Sequence, residues 1–212
     1  IQYYKATGKR ILLDVALRYV DCVRAEFGPE PEKKHGYPGH EVAEMALMRI
    51  YHETGNARCL SFATYFIHER GRSPLYFEQE RQKYQRPMLW KESTFQYQYY
   101  QAGKPVVEQD KAEGHAVRAM YSGMVDVAEA TGDATLFAAC ERLWNNVTQR
   151  QMYITGAVGA QHYGESFSFD YNLPNDLVYG ETCASIGLVF FARRMFLATH
   201  DAKYVNVMEQ VL

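Results

Sequence analysis

The sequence predicts an all-α fold made of helical hairpins set around a toroid. Three observations predict it. A short turn pattern returns four times, as Ala6-Thr7-Gly8-Lys9, Glu53-Thr54-Gly55-Asn56, Ala130-Thr131-Gly132-Asp133 and Ala198-Thr199-His200-Asp201. Each copy separates two stretches whose apolar residues recur at intervals of three and four, the spacing of an amphipathic helix. The copies are unevenly spaced along the chain, whereas a solenoid keeps a stricter period and a closed toroid lets its loops vary.

Within each copy the glycine is suited to the left-handed cap that ends a helix. The Asn or Asp that follows can cap the next one. Each copy therefore reads as helix, tight turn, helix. In the last copy His200 replaces the glycine, which predicts a strained or differently built cap. The helices after the turns run over Leu12 to Val23, Leu60 to Ile67, Leu136 to Val147 and Tyr204 to Leu212. The helix before the first turn is cut short by Ile1. A toroid of this type needs six hairpins and about four are present, so residues 1–212 are expected to form part of one domain. Between hairpins, Gly28 to Gly39 carries Pro29, Pro31 and Pro38 and reads as a loop. Gly71 to Pro105 is rich in Tyr, Gln and Arg, with little helical period. Thr155 to Asn175 mixes glycine, aromatic and polar residues. Such loops gather at the mouth of a helical toroid, where a rigid scaffold holds functional groups.

Composition narrows the function classes. Of 212 residues, 47% are apolar and the net charge is −2, enough for a substantial core. Acids and bases are interspersed without a basic stripe, which disfavours nucleic acid as a partner. No apolar run approaches the ~20 residues that cross a bilayer, so a membrane partner is not expected. Cys22, Cys59, Cys140 and Cys183 are scattered, and reduced thiols of a cytoplasmic protein are the expectation. Asn146-Val147-Thr148 fits a glycosylation sequon but lies in a helical pattern, which argues against its use.

The densest chemistry lies in Gly164 to Asp176 and Tyr179 to Gly187. Glu181 and Cys183 are two apart, so on a helix they would diverge. Sharing one metal would need extended backbone there, which Gly180 permits, with the helix starting near Ala184. Carboxylate and thiolate are both zinc ligands, yet two are too few, and a Glu-x-Cys pair alone is more often a small buried thiol beside a solvated acid. By themselves Glu165 reads as a loop acid, and His40 and His115 as surface or hydrogen-bonded core histidines.

Several segments in fixed order change those weights: Gly36-Tyr37-Pro38-Gly39-His40, Tyr65-Phe66-Ile67-His68-Glu69-Arg70-Gly71, Gly114-His115-Ala116-Val117-Arg118-Ala119-Met120-Tyr121, Met152-Tyr153-Ile154-Thr155-Gly156, Gly164-Glu165-Ser166-Phe167, Leu173-Pro174-Asn175-Asp176 and Glu181-Thr182-Cys183-Ala184-Ser185-Ile186-Gly187. Together they resemble the β-L-arabinofuranosidase family of glycoside hydrolases over nearly the whole chain. The resemblance implies an (α/α)6 barrel followed by β-sandwich domains, with the downstream barrel helices and sandwiches outside residues 1–212. It implies a retaining hydrolase with zinc on one glutamate and three cysteines, one cysteine being the nucleophile. Carried over by motif, Glu181 and Cys183 become zinc ligands, Glu165 the general acid/base, and His40 and His115 sugar-subsite residues. The other two ligands, nucleophile included, form a downstream Cys-Cys pair that this sequence does not reach, so the chain alone is expected to be inactive.

The substrate implied is an L-arabinofuranoside-like carbohydrate, which suits a cleft with many of the 17 tyrosines, and a homo-oligomer is an admitted assembly. Two rivals stand beside this reading. One is a sugar epimerase or lyase on the same toroid, which moves protons through His or Tyr and needs no thiolate. The other is a non-catalytic, carbohydrate-binding helical scaffold.

Overall fold

In a computed structural model the chain is described over residues 1–84, 101, 103–114 and 120–212. Its α-helices, among the described residues, are α1 (Gln2–Thr7), α2 (Ile11–Glu26), α3 (Ala43–Thr54), α4 (Ala57–Glu69), α5 (Tyr76–Lys83), α6 (Met120–Thr131), α7 (Ala134–Asn146), α8 (Thr182–Thr199) and α9 (Ala202–Val211). Three isolated bridges, Phe27 with Lys34, Met152 with Val158 and Gln161 with Ser166, are the β-type pairings among these residues. The fold is all-helical, as the sequence predicts.

The recurring turn is one device used four times. Its threonine hydroxyl donates to the carbonyl four residues back, at 2.6 to 2.8 Å, in Thr7, Thr54, Thr131 and Thr199. The next residue is left-handed, at φ 69° in Gly8, 67° in Gly55, 70° in Gly132 and 59° in His200. Asn56, Asp133 and Asp201 then accept backbone N–H groups of the next helix's first turn. The chain thus reverses within two residues and lays the two helices side by side. His200 takes the same geometry as the glycines. Its N–H donates to the Phe196 carbonyl at 2.7 Å and its ring lies against Phe196.

The hairpins α3/α4, α6/α7 and α8/α9, beside the hairpin α1/α2, pack through their first helices: α6 touches both α3 and α8, and also meets α4. This explains why α6 is buried continuously from Met120 to Ala128. A helix with neighbours all round has no polar face to present. Trp144 of α7 joins the pairs by packing edge-on against Phe191 of α8 and Tyr204 of α9. Asp126 of α6 receives Arg194 of α8 at 2.8 Å. Burial pushes the Asp126 carboxyl up, and Arg194 works against that.

One expectation needs correction. Gly71 to Pro105 contains α5, a charged helix whose only apolar side chains are Tyr76 and Phe77. They pack on Tyr37, with ring centroids 5.9 and 5.3 Å away. The fit against the preceding loop is tight enough that a Cβ on Gly36 would stand 2.5 Å from the Tyr76 ring. Two apolar positions in eight residues are too few to register as a period.

Candidate active site

Glu165 sits at the tip of a loop closed by two reciprocal backbone hydrogen bonds between Gln161 and Ser166, both 3.1 Å. Gly164 and Glu165 are both left-handed there, at φ 73° and 47°. A non-glycine residue in that region costs about 1–2 kcal/mol, and such strain collects at functional positions. Tyr179 donates its hydroxyl to Glu165 Oε1 at 2.9 Å, and its ring meets that of His162. The carboxylate is half-buried and oriented by a donor from another loop.

That donor belongs to the segment carrying the next two candidates. Gly180 is left-handed at φ 59°, and its N–H donates to the Gly159 carbonyl at 3.0 Å. Glu181 follows in extended conformation, φ −71° and ψ 126°, as the N-cap of α8, its Oε2 accepting the Ala184 N–H at 3.1 Å. The helix begins at Thr182 rather than near Ala184 because Glu181 itself caps it. Cys183 therefore lies in the first helical turn, with its thiol exposed. Of the pair only Glu181 is extended, since Thr182 and Cys183 already belong to the helix. Cys59 and Cys140 differ: both are buried in the core, and burial pushes both thiols up.

His40 is exposed just ahead of α3, in a segment held from beneath. Arg70, wholly buried, donates to Glu44 Oε1 at 2.8 Å and to the Pro38 carbonyl at 2.9 Å. Its guanidinium also lies 4.8 Å from the Tyr37 ring centroid. Around the start of α6 lie Glu41, Glu113 and Tyr121, and burial, foremost, raises the Glu113 carboxyl and the Tyr121 hydroxyl. His115, the remaining candidate, lies outside the described residues.

Behind the loops, α7 runs into a π-helical turn, Val147–Gln151, a local form that recurs at functional sites. Asn146, at the junction, is 4% exposed and engaged on both sides of its amide, which excludes the sequon from use in the folded chain.

A sequence model of the β-L-arabinofuranosidase GH127 catalytic domain matches residues 1–212. The chain belongs to this family. A curated relative, the non-reducing end β-L-arabinofuranosidase of Bifidobacterium longum subsp. longum, is 40% identical over the whole chain and is covered over 33% of its own length. The crystal structure of Ara127N-Se, a GH127 β-L-arabinofuranosidase from Geobacillus stearothermophilus T6, superposes with a TM-score of 0.92 at 47% identity, covering 99% of this chain and 33% of that one. A second GH127 β-arabinofuranosidase gives 0.82 at 46% identity, covering 98% and 30%. The chain thus spans about a third of the length of the relatives it matches.

Among the described residues of this GH127 chain, no three of His, Cys, Asp and Glu gather as a metal-binding set. The donor chemistry of Glu181 and Cys183 still suits zinc, and a ligating carboxylate is commonly held in place by a hydrogen bond such as that from Ala184. A cavity of about 300 Å³ between the end of α2, the loop after it and α4 is lined by Arg24, Phe27, Lys33, Tyr65 and Arg72 among others, and by none of the candidates. Sequence reasoning missed Tyr179, Arg70 and Asn146. Tyr179 and Arg70 fall in segments that stood out and Asn146 in the sequon, yet none showed a role in the site, because the partner of each is distant in the chain.

Proposed function

We propose that the full-length protein is a retaining glycoside hydrolase acting on β-L-arabinofuranosyl or related residues, and that this chain supplies its acid/base and part of its metal site. Glu165 in its protonated form donates to the departing sugar oxygen. Once ionised, it takes a proton from the water that releases the sugar. His40 and His115 line the sugar subsite. Glu181 and Cys183 hold zinc together with donors outside this chain, among them the nucleophilic cysteine. Bound zinc supplies a cation that keeps a cysteine thiol ionised at neutral pH. The observation that carries this reading is the 2.9 Å hydrogen bond from Tyr179 to Glu165. It ties the acid/base loop to the segment that bears both proposed ligands two and four residues later.

The same reading treats the hairpins as part of an (α/α)6 ring. Ile11, Val15 and Tyr19 on α2, and Ile186, Phe190 and Leu197 on α8, form exposed apolar stripes at the two ends of the packed row. Stripes of this kind call for covering partners, and further helices of a ring would supply them.

The decisive experiment is Glu165→Gln in the full-length protein. It should lower turnover of an alkyl arabinofuranoside by about 10²-fold or more while zinc per chain, by elemental analysis, stays unchanged. Wild-type turnover would remove Glu165 from the acid/base role.

A further inference from the structure

The amide of Asn146 makes four segments into one unit. Its Oδ1 accepts the Ala112 backbone N–H and the Gln151 side chain, both at 2.8 Å. Its Nδ2 donates to Asp170 Oδ1 at 2.9 Å. Gln151 donates in turn to the Ala112 carbonyl at 2.9 Å, and Arg150 holds Asp170 Oδ2 at 2.8 Å. The orientation of the amide is fixed, because a flipped Asn146 would point its oxygen at a carboxylate and its NH2 at a backbone N–H. Against the cost of burial, the bonds from Arg150 and Asn146 keep the Asp170 carboxyl below its usual range.

These contacts bear on the site through the chain's connectivity. Ala112 stands three residues before His115. Asp170 stands five residues after Glu165, just past the Gln161–Ser166 closure, and Tyr171 N–H donates to the Arg150 carbonyl at 2.9 Å. Phe167 N–H, two residues after Glu165, donates to the Gly114 carbonyl at 3.1 Å. The acid/base loop and the stretch of chain leading to His115 therefore share a single buried anchor where α7 meets the π-turn. We infer that Asn146 is a positioning residue that sets Glu165 against the sugar's leaving oxygen, through Asp170 on one side and Ala112 on the other. The inference rests on Glu165 being the acid/base.

A purely structural role and a positioning role separate by leaving group. Protonation matters for a methyl glycoside and much less for a 4-nitrophenyl glycoside of the same sugar, whose phenolate departs unaided. Lost folding lowers both equally. In the full-length protein, Asn146→Asp sets two carboxylates against each other. It should cut kcat/KM on the methyl glycoside, which reads through the leaving-group step alone, by about 100-fold, the scale of a 1 Å misplacement, while kcat/KM on the 4-nitrophenyl glycoside changes by less than about fivefold. The exchange Asn146→Asp with Asp170→Asn restores every donor and acceptor: the new carboxylate accepts from Ala112, Gln151 and the amide placed at position 170, and the oxygen of that amide accepts from Arg150. It should recover both substrates to within about fivefold of wild type. If Asn146→Asp does not fold, Asp170→Asn alone should give the same selective loss at smaller size. Equal losses on the two substrates, an exchange variant no better than the single ones, or Asp170→Asn indistinguishable from wild type would overturn the inference. Glu165→Gln in the same series keeps the two claims apart. Full activity of that variant on the methyl glycoside removes the acid/base reading and this inference with it, whereas a dead Glu165→Gln beside unselective Asn146 variants removes the inference alone.

Discussion

Replacing Arg70 with methionine tests how the loop ahead of α3 is held. In the folded chain Arg70 and Glu44 are both wholly buried, 2.8 Å apart. The substitution leaves Glu44 with an uncompensated buried charge, a change that costs about 3–5 kcal/mol. It also deprives the Pro38 carbonyl of a charged donor, worth about 1.5–3 kcal/mol, and removes the cation from the face of Tyr37, worth about 2 kcal/mol when desolvated. These terms overlap, since one guanidinium makes all three contacts, and a total of about 4–6 kcal/mol follows. At about 2–4 °C per kcal/mol for 150–250 residues and less for the longer full-length protein, the melting temperature should fall by roughly 5–15 °C. Thermal unfolding of the full-length protein, followed by far-ultraviolet circular dichroism, reads this directly. The control is Arg70→Met combined with Glu44→Leu, which removes both charges and should recover at least half of the loss. A single variant within about 1 kcal/mol of wild type, or a double variant no better than the single, would refute the claim that the ion pair clamps this loop.

Three further outcomes are expected. Asp133 caps α7 by accepting the Thr135 and Leu136 N–H groups at 3.0 Å, so Asp133→Ala should cost about 1–2 kcal/mol at neutral pH by denaturant titration. The Thr135 hydroxyl, first, and the backbone N–H groups hold the Asp133 carboxyl below its ordinary 3.8. Its stabilisation is therefore complete above the unfolded value and is lost as pH falls through the lower folded one. Asp133→Asn should flatten that acid limb, and an unchanged acid limb would contradict the assignment. Cys22 and Cys183 are exposed thiols while Cys59 and Cys140 are buried. Alkylation of the native full-length protein, mapped by mass spectrometry, should label the exposed pair, and zinc should protect Cys183 with Cys22 as internal control. Labelling of Cys183 at the same rate with and without zinc would exclude it as a ligand. Because His200 is left-handed at φ 59°, His200→Gly should stabilise the last hairpin by about 0.5–1 kcal/mol, and a destabilised variant would show that the Phe196 contact outweighs the backbone strain.

What the sequence discloses and what it conceals divide along the length of each hairpin. At the turn end every bond is local. Thr131 reaches four residues back, Gly132 reverses the chain, and Asp133 reaches two and three residues on. A device that closes within ten residues leaves a readable pattern, and so the four hairpins and their capping residues follow from the sequence. The deviation at His200 is readable as a position but not as a conformation, because a single backbone hydrogen bond to Phe196 and a ring contact hold the geometry a glycine would adopt freely. Even α5 escapes notice because it buries two aromatic rings rather than a stripe.

At the loop end the bonds are long-range and polar. Arg70 reaches Glu44 and Pro38 across 26 and 32 residues, and Asn146 reaches Ala112 and Asp170 across 34 and 24. No residue type or spacing announces such partners, since any buried Arg or Asn needs some partner. The family resemblance nominated Glu165, Glu181 and Cys183 as individual residues without indicating what holds them in place. The structure adds that Glu165 is left-handed and accepts a hydrogen bond from Tyr179. The difference follows from the physics of the two ends. A turn is specified by the conformational preferences of its own residues. A loop that carries reactive groups must hold an unfavourable backbone, and its fixation comes from buried polar contacts made elsewhere in the chain. Residues that act through others, such as Asn146 and Arg70, therefore become identifiable only once the fold has brought distant segments together.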